Sequence, residues 1–330
     1  MTSFLVTGAA GFIGSHVAES LLASGHRVTG LDNFDEFYPR AVKEANVADA
    51  LASPAFRLVE GDVRDGVLLA GLLQPETVVV HLAARAGVRP SILQPELYAS
   101  VNLLGTATLL EAARAAGVRR VVFASSSSVY GDTAPVPFRE DWPAVEPISP
   151  YAATKRGAEL LCASYAHLHP MRIIALRFFT VYGPRQRPDL AIHRFARLIA
   201  QGRPIPFFGD GTTERDYTYI DDIVGGVRGA VAWTGAESDG GAFEIVNLGE
   251  SRTTRLDRLV ELVCRALAAE GLPSVPRLDR QPPQPGDVQR TCADVTKARR
   301  LLGYAPAVTV EEGVPRFVRW FREEAYGRST

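Results

Sequence analysis

The 330-residue chain is almost without lysine. Lys43, Lys155 and Lys297 are the only lysines among 36 basic residues, and the rest are arginine. Codon bias is the ordinary source of such an imbalance, but a lysine inside a motif then stands out. Cysteine is nearly as scarce. Cys162, Cys264 and Cys292 are far apart and odd in number, which gives neither a disulfide framework nor a metal-binding spacing and suits a reducing compartment. The six histidines (His16, His26, His81, His167, His169, His193) are scattered, so no metal site is expected. No apolar run approaches the roughly 20 residues needed to cross a bilayer. The first residues enter a strand pattern with no basic segment followed by an apolar one, and the expected location is the cytoplasm. Net charge is also lacking, at -1, so nothing global calls for nucleic acid or an anionic membrane.

What is present is a core. Hydrophobic residues make up 46% and charged residues 22%, which excludes a disordered chain. The length exceeds that of one ordinary domain, so a large domain with an appended lobe is expected. Short apolar runs at residues 4–7, 27–31, 56–60, 78–81, 120–124 and 172–176 alternate with helical patterns, notably 14–23, 96–116 and 151–167. This alternation is the signature of a doubly wound parallel α/β sheet, which binds ligands at the carboxyl ends of its strands. Past residue 180, Pro184, Pro188, Pro204 and Pro206 break the chain, and a proline-rich stretch follows at 281–286. Helical patterns at 256–269 and 310–324 complete a smaller lobe, while 220–234 and 242–247 read as a helix and strand returning to the sheet. The expected division is residues 1–180 with 220–247 for the Rossmann domain, and 181–219 with 248–330 for the lobe.

Thr7-Gly8-Ala9-Ala10-Gly11-Phe12-Ile13-Gly14 follows the first strand and opens the first helix. Glycines there permit a tight turn, close approach of backbone to a pyrophosphate, and close packing of helix on strand, while the helix N-terminus offers N–H groups to the phosphates. Asp32, 18 residues beyond Gly14, ends the second strand. Its carboxylate can accept from the adenosine ribose hydroxyls and would repel a 2′-phosphate, and Asn33-Phe34 follows instead of a basic pair, which favours NAD over NADP. Asp62 after the third strand can meet the adenine edge or cap a helix at 64–72, and spacing alone leaves both open.

Tyr151-Ala152-Ala153-Thr154-Lys155 opens a helix after Pro150. Positions four apart share a face, so the ammonium is expected to lower the tyrosine pKa and make the phenol a usable base. Ser125-Ser126-Ser127-Ser128 ends the fifth strand, where a hydroxyl can share a proton with Tyr151; a plain serine-rich turn is the alternative. No G-x-S-x-G elbow is present, which excludes the usual serine hydrolase.

In this order, Gly8/Gly11/Gly14, Asp32, the serine run and Tyr151/Lys155 resemble an extended short-chain dehydrogenase/reductase, and within it the NAD-dependent nucleotide-sugar epimerases, above all the UDP-glucuronate 4-epimerases. The similarity runs through Leu176-Arg177-Phe178-Phe179-Thr180-Val181-Tyr182-Gly183-Pro184-Arg185-Gln186-Arg187-Pro188-Asp189, Gly209-Asp210-Gly211, the segment from Arg215-Asp216-Tyr217 to Asp222, and Gln284-Pro285-Gly286-Asp287-Val288. The resemblance implies NAD contacts from Phe12, Ile13, Asn33, Asp62, Val63, Leu82, Ala83, Ala84, Asn102 and Phe178 beside the glycines, Asp32, Tyr151 and Lys155. It implies Ser126 as the hydroxyl partner of Tyr151, with Val88, Arg89 and Ser91 near the sugar. Thr180 and Phe207 would line the nucleotide-sugar site, and Arg215 and Asp287 would hold diphosphate and uridine ribose. Related 4,6-dehydratases carry Asp-Glu where this chain has Ser127-Ser128, and related decarboxylases carry a glutamate where Ser128 stands. Their absence points to 4-epimerisation through a 4-keto sugar. Ser127, Ser128, Thr180 and Arg185 are the expected holders of a glucuronate carboxylate, with Arg89, Arg185 and Arg215 a local basic cluster and Arg185 as a mere surface arginine the alternative. A neutral UDP-hexose epimerase and an NAD-binding sensor remain as other readings. Such enzymes are often homodimers, built here from helices 96–116 and 151–167.

Overall fold

The structure, a computed structural model, describes residues 1–236, 240–282 and 288–326. In chain order it begins β1 (Ser3–Thr7), α1 (Phe12–Ala23), β2 (Arg27–Asp32), α2 (Arg40–Leu51), β3 (Phe56–Glu60), α3 (Gly66–Leu72) and β4 (Val78–His81). Short helices α4 (Val88–Leu93) and α5 (Pro95–Tyr98) follow, then a π-helical turn (Ala99–Leu104), α6 (Gly105–Ala115), β5 (Arg120–Ser126), α7 (Pro150–Leu168) and β6 (Arg172–Phe178). The remainder comprises β7 (Thr180–Tyr182), α8 (Ala191–Ala200), β8 (Ile205–Phe208), β9 (Glu214–Arg215), β10 (Tyr217–Tyr219) and α9 (Ile220–Thr234). It ends with β11 (Ala242–Leu248), β12 (Thr254–Arg255), α10 (Leu256–Ala269), β13 (Leu278–Gln281), α11 (Thr296–Leu302) and α12 (Val310–Tyr326).

The central sheet has the order β11-β6-β5-β4-β1-β2-β3, with all its neighbours parallel. Its apolar strands alternate between two cores. Phe4, Val6, Val78, Val80, Val122, Ile174 and Leu176 face one layer of helices, and Leu5, Val79, Val121, Phe123, Ile173 and Ala175 face the other. A sheet buried on both faces needs this continuous hydrophobicity, with period two deciding which helix each side chain meets. The order reverses between β1 and β4, opening a crevice at the carboxyl edge. The register places Thr7 beside both Leu31 and His81, and Ser126 beside Phe178, along that edge.

Three two-stranded sheets, β10-β7, β12-β9 and β13-β8, lie outside the central sheet in the part expected to form the lobe. The buried Asp216 carboxylate joins its segments by accepting from the backbone N–H groups of Glu250, Ser251 and Ala293 at 2.8, 3.0 and 2.9 Å. The expected helix and strand at 220–234 and 242–247 are α9 and β11, the latter on the sheet edge beside β6. Two differences from expectation matter. Helices α2 and α8 occupy stretches for which the sequence singles out no particular helix, although α2 falls in a gap between strands where one is expected. The expected helix over 96–116 is not continuous, because a π-helical turn at Ala99–Leu104 interrupts it. There the Thr106 hydroxyl donates to the Asn102 carbonyl at 2.6 Å, and Asn102 is turned inward.

Candidate active site

A cavity of about 540 Å³ runs along the carboxyl edge of the sheet. At one end it is lined by Gly8, Gly11, Phe12, Ile13 and Gly14 from the β1–α1 turn, by Asp32 and Asn33 after β2, by Asp62 and Val63 after β3, and by Leu82, Ala83 and Ala84 after β4. The turn needs its glycines. Gly8 has φ +71° and a Cβ there would lie 2.8 Å from the Ala83 nitrogen, while a Cβ on Gly14 would come within 2.0 Å of the Gly8 carbonyl. Gly11 caps α1 without a side-chain acceptor, which leaves first-turn N–H groups for an anion. The Asp32 carboxylate accepts from the backbone of Ala10 (3.0 Å) and Phe34 (2.9 Å), and Lys43 Nζ lies 3.9 Å away. Asp62 does not cap α3. That role falls to Asp65, which accepts from Val67 and Leu68. Asp62 is instead bonded to Arg64 and Asn33, and Arg64 holds its carboxyl down at about 2.

The other end is lined by Ser125–Ser128, Tyr151, Lys155, Phe178, Thr180, Val88 and Arg187. Ser149 caps α7 by accepting from Ala152 N–H (3.1 Å), with Pro150 in the first turn, and this projects Tyr151 over the end of β5. Burial raises the Tyr151 phenol above its ordinary range, against which a hydrogen bond with Ser126 and the charge of Arg187 pull it down. Lys155 lies in the cavity lining with Tyr151. Its Nζ donates to the Ala124 carbonyl at 2.7 Å and lies 5.1 Å from the Phe123 ring centroid, and burial lowers it to about 8. That bond ties it to β5 and uses one of its three donors, and a hydrogen bond with Ser126 and the charge of Arg187 act to lower the phenol. Behind the serines, Glu159 is fully buried, accepting from Ser125 Oγ (2.6 Å) and from Arg177 (2.8 and 2.9 Å), which ties α7 to β5 and β6.

Several expected positions fall elsewhere. Arg185 has a left-handed backbone (φ 64°), and its guanidinium meets Glu19 of α1 at 2.6 Å and Asp49 of α2 at 3.2 Å, outside the cavity lining. The same loop turns Arg187 inward, where Asp189 holds it through two bonds of 2.9 and 2.8 Å. Arg187 is the residue that sequence reasoning missed, two positions from the one it chose; nothing in the sequence marks which arginine a left-handed turn will face inward. Asn102 is not in the lining either. Its side chain accepts from Arg85 N–H and donates to the Arg85 carbonyl and Thr154 Oγ1, bracing the wall behind the cavity. Ser91 is buried and donates to Val88 O, Arg89 lies 4.4 Å over the Phe208 ring, and Phe207 is buried in the larger hydrophobic core. Arg215 lines a smaller adjoining cavity of about 130 Å³ with Thr180, Ser127 and Ser128. The three arginines expected to cluster therefore do not share one wall. Asp287 lies outside the described residues.

The family described as GDP-mannose 4,6 dehydratase matches residues 5–317. A UDP-glucuronate 4-epimerase of Thermodesulfobacterium geofontis is 40% identical, covering 98% of this chain and 97% of its own. The chain belongs to the extended short-chain dehydrogenase/reductases. Among solved members of this family, UDP-glucuronic acid 4-epimerase from Bacillus cereus, in complex with UDP-glucuronic acid and NAD, matches with a TM-score of 0.89 and 34% identity, covering 98% of this chain and 100% of that one. UDP-glucose 4-epimerase from Thermotoga maritima, with UDP-glucose, has a TM-score of 0.84 and 31% identity, covering 98% of this chain and 100% of its own. The family scaffold thus carries more than one sugar chemistry, and the choice falls to the residues in the cavity.

Proposed function

We propose that this protein is an NAD-dependent isomerase, a UDP-glucuronate 4-epimerase that interconverts UDP-glucuronate and UDP-galacturonate through a 4-keto intermediate. The observation that carries this reading is the composition of the cavity around Tyr151. Hydroxyls and one partly buried arginine surround the phenol, while the carboxylates in the lining, Asp32, Asp35 and Asp62, come from the end of β2 and the segments after β2 and β3. A dehydration or decarboxylation would need an acid at the sugar end, and Ser127 and Ser128 stand where one would be.

The residues present fit NAD. The glycine turn leaves no room for side chains, the start of α1 offers N–H groups, and Asp32 is placed for ribose hydroxyls and against a 2′-phosphate. When bound there, NAD supplies a reversible hydride acceptor for C4 of the sugar. Tyr151 takes the proton of the 4-hydroxyl and later returns one, with Ser126 sharing the hydrogen bond. Ser127, Ser128, Thr180 and Arg187 hold the C6 carboxylate. A carboxylate fixed near the plane of the C4 carbonyl keeps the C5–C6 bond out of alignment for loss of CO₂. Arg215 and Asp287 hold the nucleotide side. In this reading residues 1–180 with 220–247 are the cofactor domain and 181–219 with 248–330 the nucleotide-sugar lobe. The protein acts in the cytoplasm as a homodimer.

Incubation with UDP-glucuronate, followed by chromatographic separation of UDP-galacturonate from UDP-pentose, tests the reading. The 4-epimer is the expected product. A pentose product, or conversion confined to UDP-glucose, would overturn it.

A further inference from the structure

Three segments meet over the cavity beside Arg187, and two of the residues they bring together, Phe37 and Arg85, have no part in the chemistry above. Phe37 lies on the loop after β2, Arg85 on the loop after β4, and Arg187 on the loop after β7, and all three line the cavity. The Phe37 ring meets both guanidinium groups, with centroid distances of 5.0 Å to Arg85 and 5.2 Å to Arg187, inside the range of a cation–π contact. Both cations are held at their edges. Arg85 is paired with Asp35 and donates to Gln94 at 3.2 Å, while Arg187 is gripped by Asp189. Asp35 also accepts from the Phe37 N–H at 2.9 Å, so one carboxylate fixes both the ring's backbone and one of its clamps.

Resting on the reading that NAD occupies this cavity, we propose that Phe37, held by cation–π contacts with Arg85 and Arg187, is a cofactor-retaining strap that holds the dinucleotide in place through repeated turnovers. The anchoring supports this. Arg85 is bound through its backbone to Asn102 in the π-helical turn, and Arg187 belongs to the lobe, so the ring bridges elements from both parts of the molecule. Phe37 is only half-buried and belongs to none of the main core clusters, so the hydrophobic core does not fix its position. The chemistry needs such a device. A 4-epimerase takes a hydride from its substrate and returns it to the same molecule, so the dinucleotide ends each cycle as it began. Exchange with solvent serves no step, and departure in mid-cycle would strand a keto sugar.

The test uses the purified holoenzyme. Wild type, Phe37→Ala and Phe37→Leu are loaded with isotopically labelled NAD, and loss of label into excess unlabelled NAD is timed. Phe37→Ala is expected to release label about tenfold faster or more, equivalent to about 1.4 kcal/mol. Phe37→Leu, which keeps apolar bulk without the π face, is expected to lie between the two. A Phe37→Ala release rate equal to that of wild type would overturn the strap while leaving the NAD reading intact. A wild-type protein that takes up no labelled NAD would overturn both.

Discussion

At the scale of single residues, the informative contrast is between Arg185 and Arg187. They are alike in type and two positions apart, yet the left-handed backbone at Arg185 sends one toward α1 and α2 and the other into the cavity beside Tyr151. Changing Arg187 to alanine, assayed with saturating NAD, is expected to lower kcat/KM for UDP-glucuronate by about 10- to 100-fold, the worth of a hydrogen bond to a charged group. UDP-glucose turnover should suffer less. Arg185→Ala loses partners that include the largely exposed Asp49 and should change either activity little. Equal losses on both sugars, or a larger loss from Arg185→Ala, would count against the carboxylate role. The residues that sequence reading placed correctly in the lining share a trait. Gly8, Gly11, Gly14, Asp32 and Tyr151 are fixed by short-range rules: a turn, a strand end, a helix start. Arg185, Asn102 and Ser91 depend on which way a loop or an interrupted helix turns, and no local spacing encodes that.

At the scale of elements, the strands were legible because burial on both faces demands long apolar runs, and α9 and α10 because their apolar periodicity is clear. Helix α2 was not, since only Lys43, Asn46, Val47 and Ala50 are buried along it and two of those are polar. The π-helical turn was invisible for another reason: it is held by a tertiary chain. Thr106 spends its proton on the Asn102 carbonyl, so His81 Nε2–H must donate to Thr106 Oγ1 (3.1 Å). His81 Nδ1 then accepts from Thr7 Oγ1 (2.7 Å), which in turn accepts from Ala83 N–H. The chain joins β1, β4 and the π-helical turn through a neutral imidazole, whose burial depresses it to about 3. Between that value and the ordinary 6.5, an unfolded chain binds a proton that the folded one refuses, so this contribution to stability falls as pH falls. Glu250, raised by burial to about 7, contributes with the opposite sign. Urea unfolding of wild type and His81→Gln separates the two. The stability advantage of wild type should shrink by about 2 kcal/mol between pH 7 and pH 5. A gap independent of pH would show that His81 does not titrate on unfolding.

At the scale of the whole molecule, no helix among the described residues is long and apolar enough to cross a membrane. Yet Leu104, at the end of the π-helical turn, and Leu160 and Leu168, on α7, are exposed. These lie on the two helical segments proposed for a homodimer contact, and on that proposal light scattering should give twice the mass of one chain. A single-chain mass at micromolar concentration would refute that arrangement. The sheet order has a further consequence, for synthesis. Strands β1 to β4 are contiguous in the sheet as β4-β1-β2-β3, and the glycine turn, Asp32, Asp62 and Ala83 all belong to this first quarter of the chain. Tyr151, Thr180 and Arg187 are translated later. A growing chain therefore has every residue of the cavity end formed by the glycine turn, Asp32 and Asp62 before any of those around Tyr151 is made.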